Sequence, residues 1–167
     1  MAIISCEAQA SSMEAGVNPA PLLGGSDRIR EVIAHKGSDV VTTEPSCSVL
    51  DAVKHMHEHH VGSVLVVAGK MLVGIMTERD VLSRVVASNL DPATTPVEEV
   101  MTRELVLVDP WVTVADALAI VTRRRCRHLP VAEHGQLCGL VSAGDLAAWL
   151  VREQRLAIDD LYSYIVR

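Results

Sequence analysis

Apolar residues at Val49, Ala52, Val53 and Met56 recur at helical spacing, and Val114, Ala117, Leu118 and Val121 repeat that stripe 65 positions later (114 − 49). Apolar runs follow each stripe. Val64–Val67 and Leu72–Met76 flank Gly69-Lys70, while Leu129–Ala132 and Leu137–Val141 flank His134-Gly135. Short apolar runs bounded by turn residues predict buried strands. A further short strand precedes each helix, at Val40–Thr42 and Leu105–Val108, and stops at an acidic-Pro turn. A second helix is expected from Asp80 and from Asp145. The predicted order is β-α-β-β-α, twice, which is an α/β (α+β) chain of two repeats packed as a pseudo-two-fold pair.

The repetition extends to identities. "VVTTEPSCSVLDAV" lies over "LVLVDPWVTVADAL", and "MLVGIMTERD" over "QLCGLVSAGD", without a gap from Val40 to Asp80. Upstream, "IREVIAHKG" resembles "VEEVMTRE", with a few extra residues in the first copy. One copy of about 60 residues buries too little surface to be comfortable alone, so the two are expected to pack sheet to sheet. Residues 1–26 read as a mobile tail with a local docking segment at Leu22-Leu23. Asp27 is the expected N-cap of "RIREVI". Residues 27–90 form the first repeat, 91–152 the second and 153–167 a helix-like tail. Leu156, Leu161, Tyr162 and Ile165 would line one stripe of that tail, which is too short to be stable alone and would dock on its own module or a second subunit.

Composition narrows the function classes. Apolar residues make up 49% of the 167, with no phenylalanine, so the core must be aliphatic. A formal net charge of −6 argues against general nucleic-acid binding. No apolar run reaches the ~18–20 residues of a membrane span. The four cysteines, Cys6, Cys47, Cys126 and Cys138, form no C-x-x-C pair, and a reducing cytoplasm fits them best. The chain has no G-x-S-x-G, Walker loop or H-E-x-x-H, so it is read as non-enzymatic. Cys126 beside Arg127 and His128 is the one nucleophile candidate, set against inert packing.

The order β-α-β-β-α, with "VEEVMT", "GIMTERD" and "RHLPV…GLVSAGD" at corresponding places, resembles the CBS domain, and the duplication resembles a CBS pair, or Bateman module. The resemblance covers roughly residues 28–152. It implies a regulatory module that binds an adenosine-containing ligand (AMP, ADP or ATP, otherwise NAD(H) or S-adenosylmethionine) in two clefts and relays occupancy to a partner protein. No cofactor is required. Carried over residue by residue, one cleft takes Asp39, Val40, Val41, Val61, Gly62 and Ser63 from the first copy and Arg127, His128, Ser142, Gly144 and Asp145 from the second. The other takes Arg103, Leu105, Val106, Cys126, Arg127 and His128 from the second copy and Gly62, Ser63, Thr77, Arg79 and Asp80 from the first. CBS pairs commonly dimerise, so a homodimer is expected.

"TERD" and "SAGD" admit two readings. Thr77 with Asp80, and Ser142 with Asp145, resemble capping boxes that merely start helices. Alternatively, the helix N-termini and hydroxyls meet phosphate or ribose, and each carboxylate, an acceptor with two oxygens, takes the ribose cis-diol. Gly74 and Gly139 would allow close backbone packing.

Four of the seven histidines lie in "VKHMHEHHVGS". His55, His57 and His59 fall on the outer or flanking face of the first helix, with a metal sensor as the rival reading. His60 aligns with Arg125 and leads into Val61–Ser63, beside the expected ligand. A purely structural dimerisation module is the remaining alternative.

Overall fold

The computed structural model describes residues 27–165, with side chains described through residue 156. The tail expected at 1–26, with Leu22-Leu23, lies outside the described residues, as do the side chains of Leu161, Tyr162 and Ile165.

The first repeat contains β1 (Thr42–Thr43), α2 (Val49–Glu58), β2 (Ser63–Ala68) and β3 (Met71–Thr77). It closes with a short α3 (Glu78–Asp80) that passes directly into a π-helical turn, Val81–Val86. The second contains α5 (Val114–Arg124), β4 (His128–Glu133), β5 (Gln136–Ser142) and α6 (Ala143–Ile165). β1 pairs parallel with β2, and β2–β3 and β4–β5 are antiparallel hairpins. Ser48 and Thr113 cap α2 and α5, their hydroxyls accepting the amides of Asp51 and Asp116. Both helices are followed by a left-handed residue, Arg125 (φ 52°) directly after α5 and His60 (φ 54°) one residue beyond His59, the C-cap of α2. That shared backbone shape supports their alignment.

Two further helices precede the repeats: α1 (Ile29–Lys36) and α4 (Val97–Val100). Each completes the core of the other repeat. Ile29, Val32 and Ile33 of α1 pack with Val114, Ala117, Leu129, Val131, Val141 and Leu146 of the second repeat. Val97, Val100 and the adjoining Met101 pack with Val49, Ala52, Met56, Val64, Val66, Met76 and Val85 of the first. Corresponding main-chain bonds fasten both: Ile29 to Val112 and Arg30 to Pro110 on one side, Val97 to Cys47 and Glu98 to Pro45 on the other. A one-turn helix such as α4 has no stability of its own. Burying its two valines and the adjoining Met101, at about 1.5–3 kcal/mol each, holds it in place.

The exchange also explains two glycines. A Cβ on Gly74 would lie 2.5 Å from Met101 Sδ and 3.1 Å from the Thr102 carbonyl; one on Gly139 would lie 3.1 Å from Ile33 Cδ1. Close packing, anticipated at both, is therefore packing against the helix lent by the other repeat.

Several local expectations need correction. The strand expected at Leu105–Val108 reduces to one parallel bridge, Val108 to Val131. In the first repeat the Leu65 amide donates to Val41, but the corresponding residue in the second is Pro130, which has no N–H to give. β1 lies at Thr42–Thr43 rather than Val40–Thr42. The helices after the hairpins begin at Glu78 and Ala143, ahead of Asp80 and Asp145. Asp27 is not the N-cap of α1; Arg28 is, and the Asp27 carboxylate accepts the Trp149 indole N–H instead. The helix-like segment expected from residue 153 is helical as far as Ile165 and continues α6.

Candidate ligand-binding site

The hairpin registers bring the motif residues together. Ser63 lies opposite Thr77, and His128 opposite Ser142. The Glu78 amide donates to the Gly62 carbonyl, and the Ala143 amide to Arg127. In both repeats the helix N-terminus therefore abuts the segment that enters β2 or β4.

Around Asp80 the arrangement is closed. Asp80 Oδ2 accepts from the Thr77 amide at 2.9 Å and the Thr77 hydroxyl at 2.7 Å. Oδ1 accepts from the Thr102 hydroxyl at 3.1 Å and faces Arg84 Nη1 at 3.6 Å. The same Arg84 nitrogen donates to the carbonyls of Val100 and Met101. Asp80 thus belongs to a clamp that holds the segment after α4 against the first repeat. Of the residues assigned to this cleft, Arg79 is exposed, Val106 and Cys126 pack on the second core, and Leu105 is half-buried. Arg103 turns back to donate to the Glu98 carbonyl.

Around Asp145 it is open. Oδ2 accepts from the Ser142 amide and from Lys36 Nζ, both at 2.7 Å. Oδ1 makes no hydrogen bond among the described residues, and 28% of the side chain is exposed. His128 lies opposite Ser142, the Arg127 carbonyl accepts from Ala143 at the head of the helix, and Asp145, Glu78, Arg127 and Lys36 are the charges that act on the His128 imidazole. Burial lowers the His128 pKa; Asp145 and Glu78 oppose that, while Arg127 and Lys36 add to it. For Asp145, burial acts upward, but hydrogen bonds from Lys36 and Ser142 outweigh it and hold the carboxyl below its usual value. A side chain at Gly144 would meet only Ser142 Oγ, at 3.5 Å, so the approach is uncrowded. On the first-repeat side, Gly62 lies against the Glu78 carboxylate, with 3.4 Å to a Cβ placed there. Asp39 is exposed, Val40 is half-buried, Val41 and Val61 pack on the first core and Ser63 is buried.

Lys36, Glu78, Thr102 and Arg84 did not stand out as site residues. Lys36 lies in the extra residues before the first repeat, where the alignment breaks. Glu78 lies inside "TERD", at the position that Ala143 holds in the second copy.

A family model described as CBS domain matches this chain twice, at residues 29–87 and 97–152. The chain belongs to the CBS-domain family. The mitochondrial CBS domain-containing protein CBSX3 of Arabidopsis thaliana is 35% identical over 149 residues, covering 84% of this chain and 72% of that one. The crystal structure of the CBS domain protein NE2398 superposes with a TM-score of 0.72 at 38% identity, covering 75% of this chain and 98% of that one. A hexameric CBS-CP12 protein from bloom-forming cyanobacteria matches with a TM-score of 0.65 at 31% identity, over 72% of this chain and 69% of that one. The tandem repeat and the α+β fold read from the sequence are thus those of a CBS pair. Such CBS pairs are commonly regulatory or sensor modules rather than enzymes.

His55, His57, His59 and His60 are exposed. His55 and His59 stand with ring centroids 5.7 Å apart, but no group of three or more metal-ligating side chains gathers among the described residues. Cys126 lies in the turn after α5, not in a strand, and is half-buried; burial pushes its thiol pKa up, away from a nucleophilic thiolate. Among the described residues, no helix is long and apolar enough to cross a membrane.

Proposed function

We propose that this CBS pair is a non-catalytic sensor that binds an adenosine-containing nucleotide, AMP, ADP or ATP, between its repeats and relays occupancy to a partner protein. The observation that carries this reading is the Asp145 carboxylate. It has one oxygen free for a cis-diol, cations at Lys36 and Arg127, and the first repeat's Glu78 nearby. The Asp145 cleft is the principal seat, because Asp80 is already committed to Thr77 and Thr102. NAD(H) and S-adenosylmethionine present the same adenosine and are the other ligands this chemistry admits. A homodimer in the cytoplasm is the working assembly; the hexameric relative supports self-association as a family habit.

A melting-temperature panel with AMP, ATP, NADH, S-adenosylmethionine and Zn²⁺ tests the reading. A ligand at 100 times its Kd stabilises by about 2.7 kcal/mol when it binds only the folded chain. Asp145→Ala should abolish the nucleotide shift. A zinc shift without a nucleotide shift would replace the proposal with the metal-sensor reading. No shift with any of the five would leave the structural dimerisation module.

A further inference from the structure

Lys36 reaches Asp145 because the chain is longer before the first repeat than before the second. Ile33 and Met101 hold corresponding places under Gly139 and Gly74. Six residues separate Ile33 from Val40, but only three separate Met101 from its counterpart Leu105. The three extra residues let α1 run a further turn, to Lys36, before Gly37 (φ +99°) ends it. The turn carries Lys36 across to the second repeat, where Nζ lies 2.7 Å from Asp145 Oδ2. In the second copy no such turn exists, and Thr102 fills the corresponding role at Asp80.

We propose that Lys36 is the specificity determinant of the Asp145 cleft: it makes the cleft select a phosphorylated nucleoside over the free nucleoside. This rests on the nucleotide-binding reading above. The Lys36 ammonium lies on the carboxylate that a ribose cis-diol would use, so a diol must share Asp145 with Lys36 or displace it. An uncharged nucleoside offers the displaced ammonium no replacement partner. A phosphate offers a charged acceptor, and a charge-assisted bond forms where one was lost. Arg127, whose carbonyl accepts the Ala143 amide, is a second cation along this segment, but Lys36 is the one bonded to the carboxylate that would take the diol and so couples the two ends of the ligand.

Calorimetric titration of the full chain with adenosine and with AMP tests this in the wild type, Lys36→Met, Lys36→Arg and Asp145→Asn. The wild type should prefer AMP. Lys36→Met should shrink the AMP-to-adenosine affinity ratio on the order of tenfold, the loss of one charge-assisted bond, and Lys36→Arg should largely preserve it. Lys36→Gln is the second neutral variant and should match Lys36→Met; it stands in should the methionine variant fold poorly. If AMP binds and Asp145→Asn abolishes it, yet both neutral variants keep the wild-type ratio, the role of Lys36 is overturned and the nucleotide reading stands. If the wild type binds neither ligand, the nucleotide reading falls and this inference with it.

Discussion

Asp80 keeps 9% of its side chain exposed and receives hydrogen bonds from Thr77 and Thr102. Its counterpart 65 residues on, Asp145, keeps 28% and meets Lys36. The two aspartates share a motif, a hairpin register and a place at the head of a helix, so the residues themselves do not explain the difference. The segments lent across the pair do. Where the lent helix is one turn long, the chain emerges extended, Thr102 bridges to Ile75 and the carboxylate is used up in holding it. Where the lent helix is a turn longer, a flexible lysine replaces the threonine and one carboxylate oxygen stays free. An open carboxylate and a closed structural clamp are thus built from one duplicated motif, and three inserted residues outside it separate them.

The largest effect should come from removing the clamp. Asp80→Ala leaves the Thr77 and Thr102 donors and Arg84 without their shared acceptor and should cost about 3 kcal/mol in urea unfolding. Asp145→Ala should cost no more than about 1 kcal/mol, because its partner Lys36 is free to turn to water. Equal costs would erase the distinction. Next come the glycines. Gly74→Ala meets both a side chain and the Thr102 main chain and should cost about 2 kcal/mol, whereas Gly139→Ala meets the end of Ile33 and should cost about half that. Thr102→Val keeps the shape and removes one bond to Asp80, for about 1 kcal/mol, with nucleotide affinity at Asp145 unchanged.

The smallest effect is in the pH profile. The folded His128 pKa lies below its ordinary 6.5, so the unfolded chain takes up that proton first. Stability is therefore undiminished above about pH 6.5, falls as the pH drops below it, and levels off once folded His128 is also protonated. Asp145, held below 3.8, adds its own loss only as the pH falls through that lower range. His128→Asn should flatten the loss just below pH 6.5 and leave the acid limb in place. A melting series across pH 4–8 that showed no such flattening would remove His128 from the account.

The repeat, both hairpins and the helix stripes were legible because period and duplication are properties of the sequence itself. The exchange of α1 and α4 was not. Ile29, Val32 and Ile33 announce a buried face, but a stripe does not say which core it enters. Pro130 was visible in "RHLPV", yet its consequence appears only once Leu65 is seen donating from the corresponding position. Likewise "TERD" and "SAGD" were open to both a capping and a ligand reading. Their bonds to Thr77 and Ser142 fit the capping box in both repeats. What separates the two is the partner arriving from elsewhere in the chain, Thr102 or Lys36.

AMP titration of the full chain by calorimetry tests the inequality of the two aspartates most directly. The account predicts one AMP per chain, lost in Asp145→Asn and retained at the same stoichiometry in Thr102→Val. Two equivalent sites per chain, or binding that survives Asp145→Asn, would contradict it.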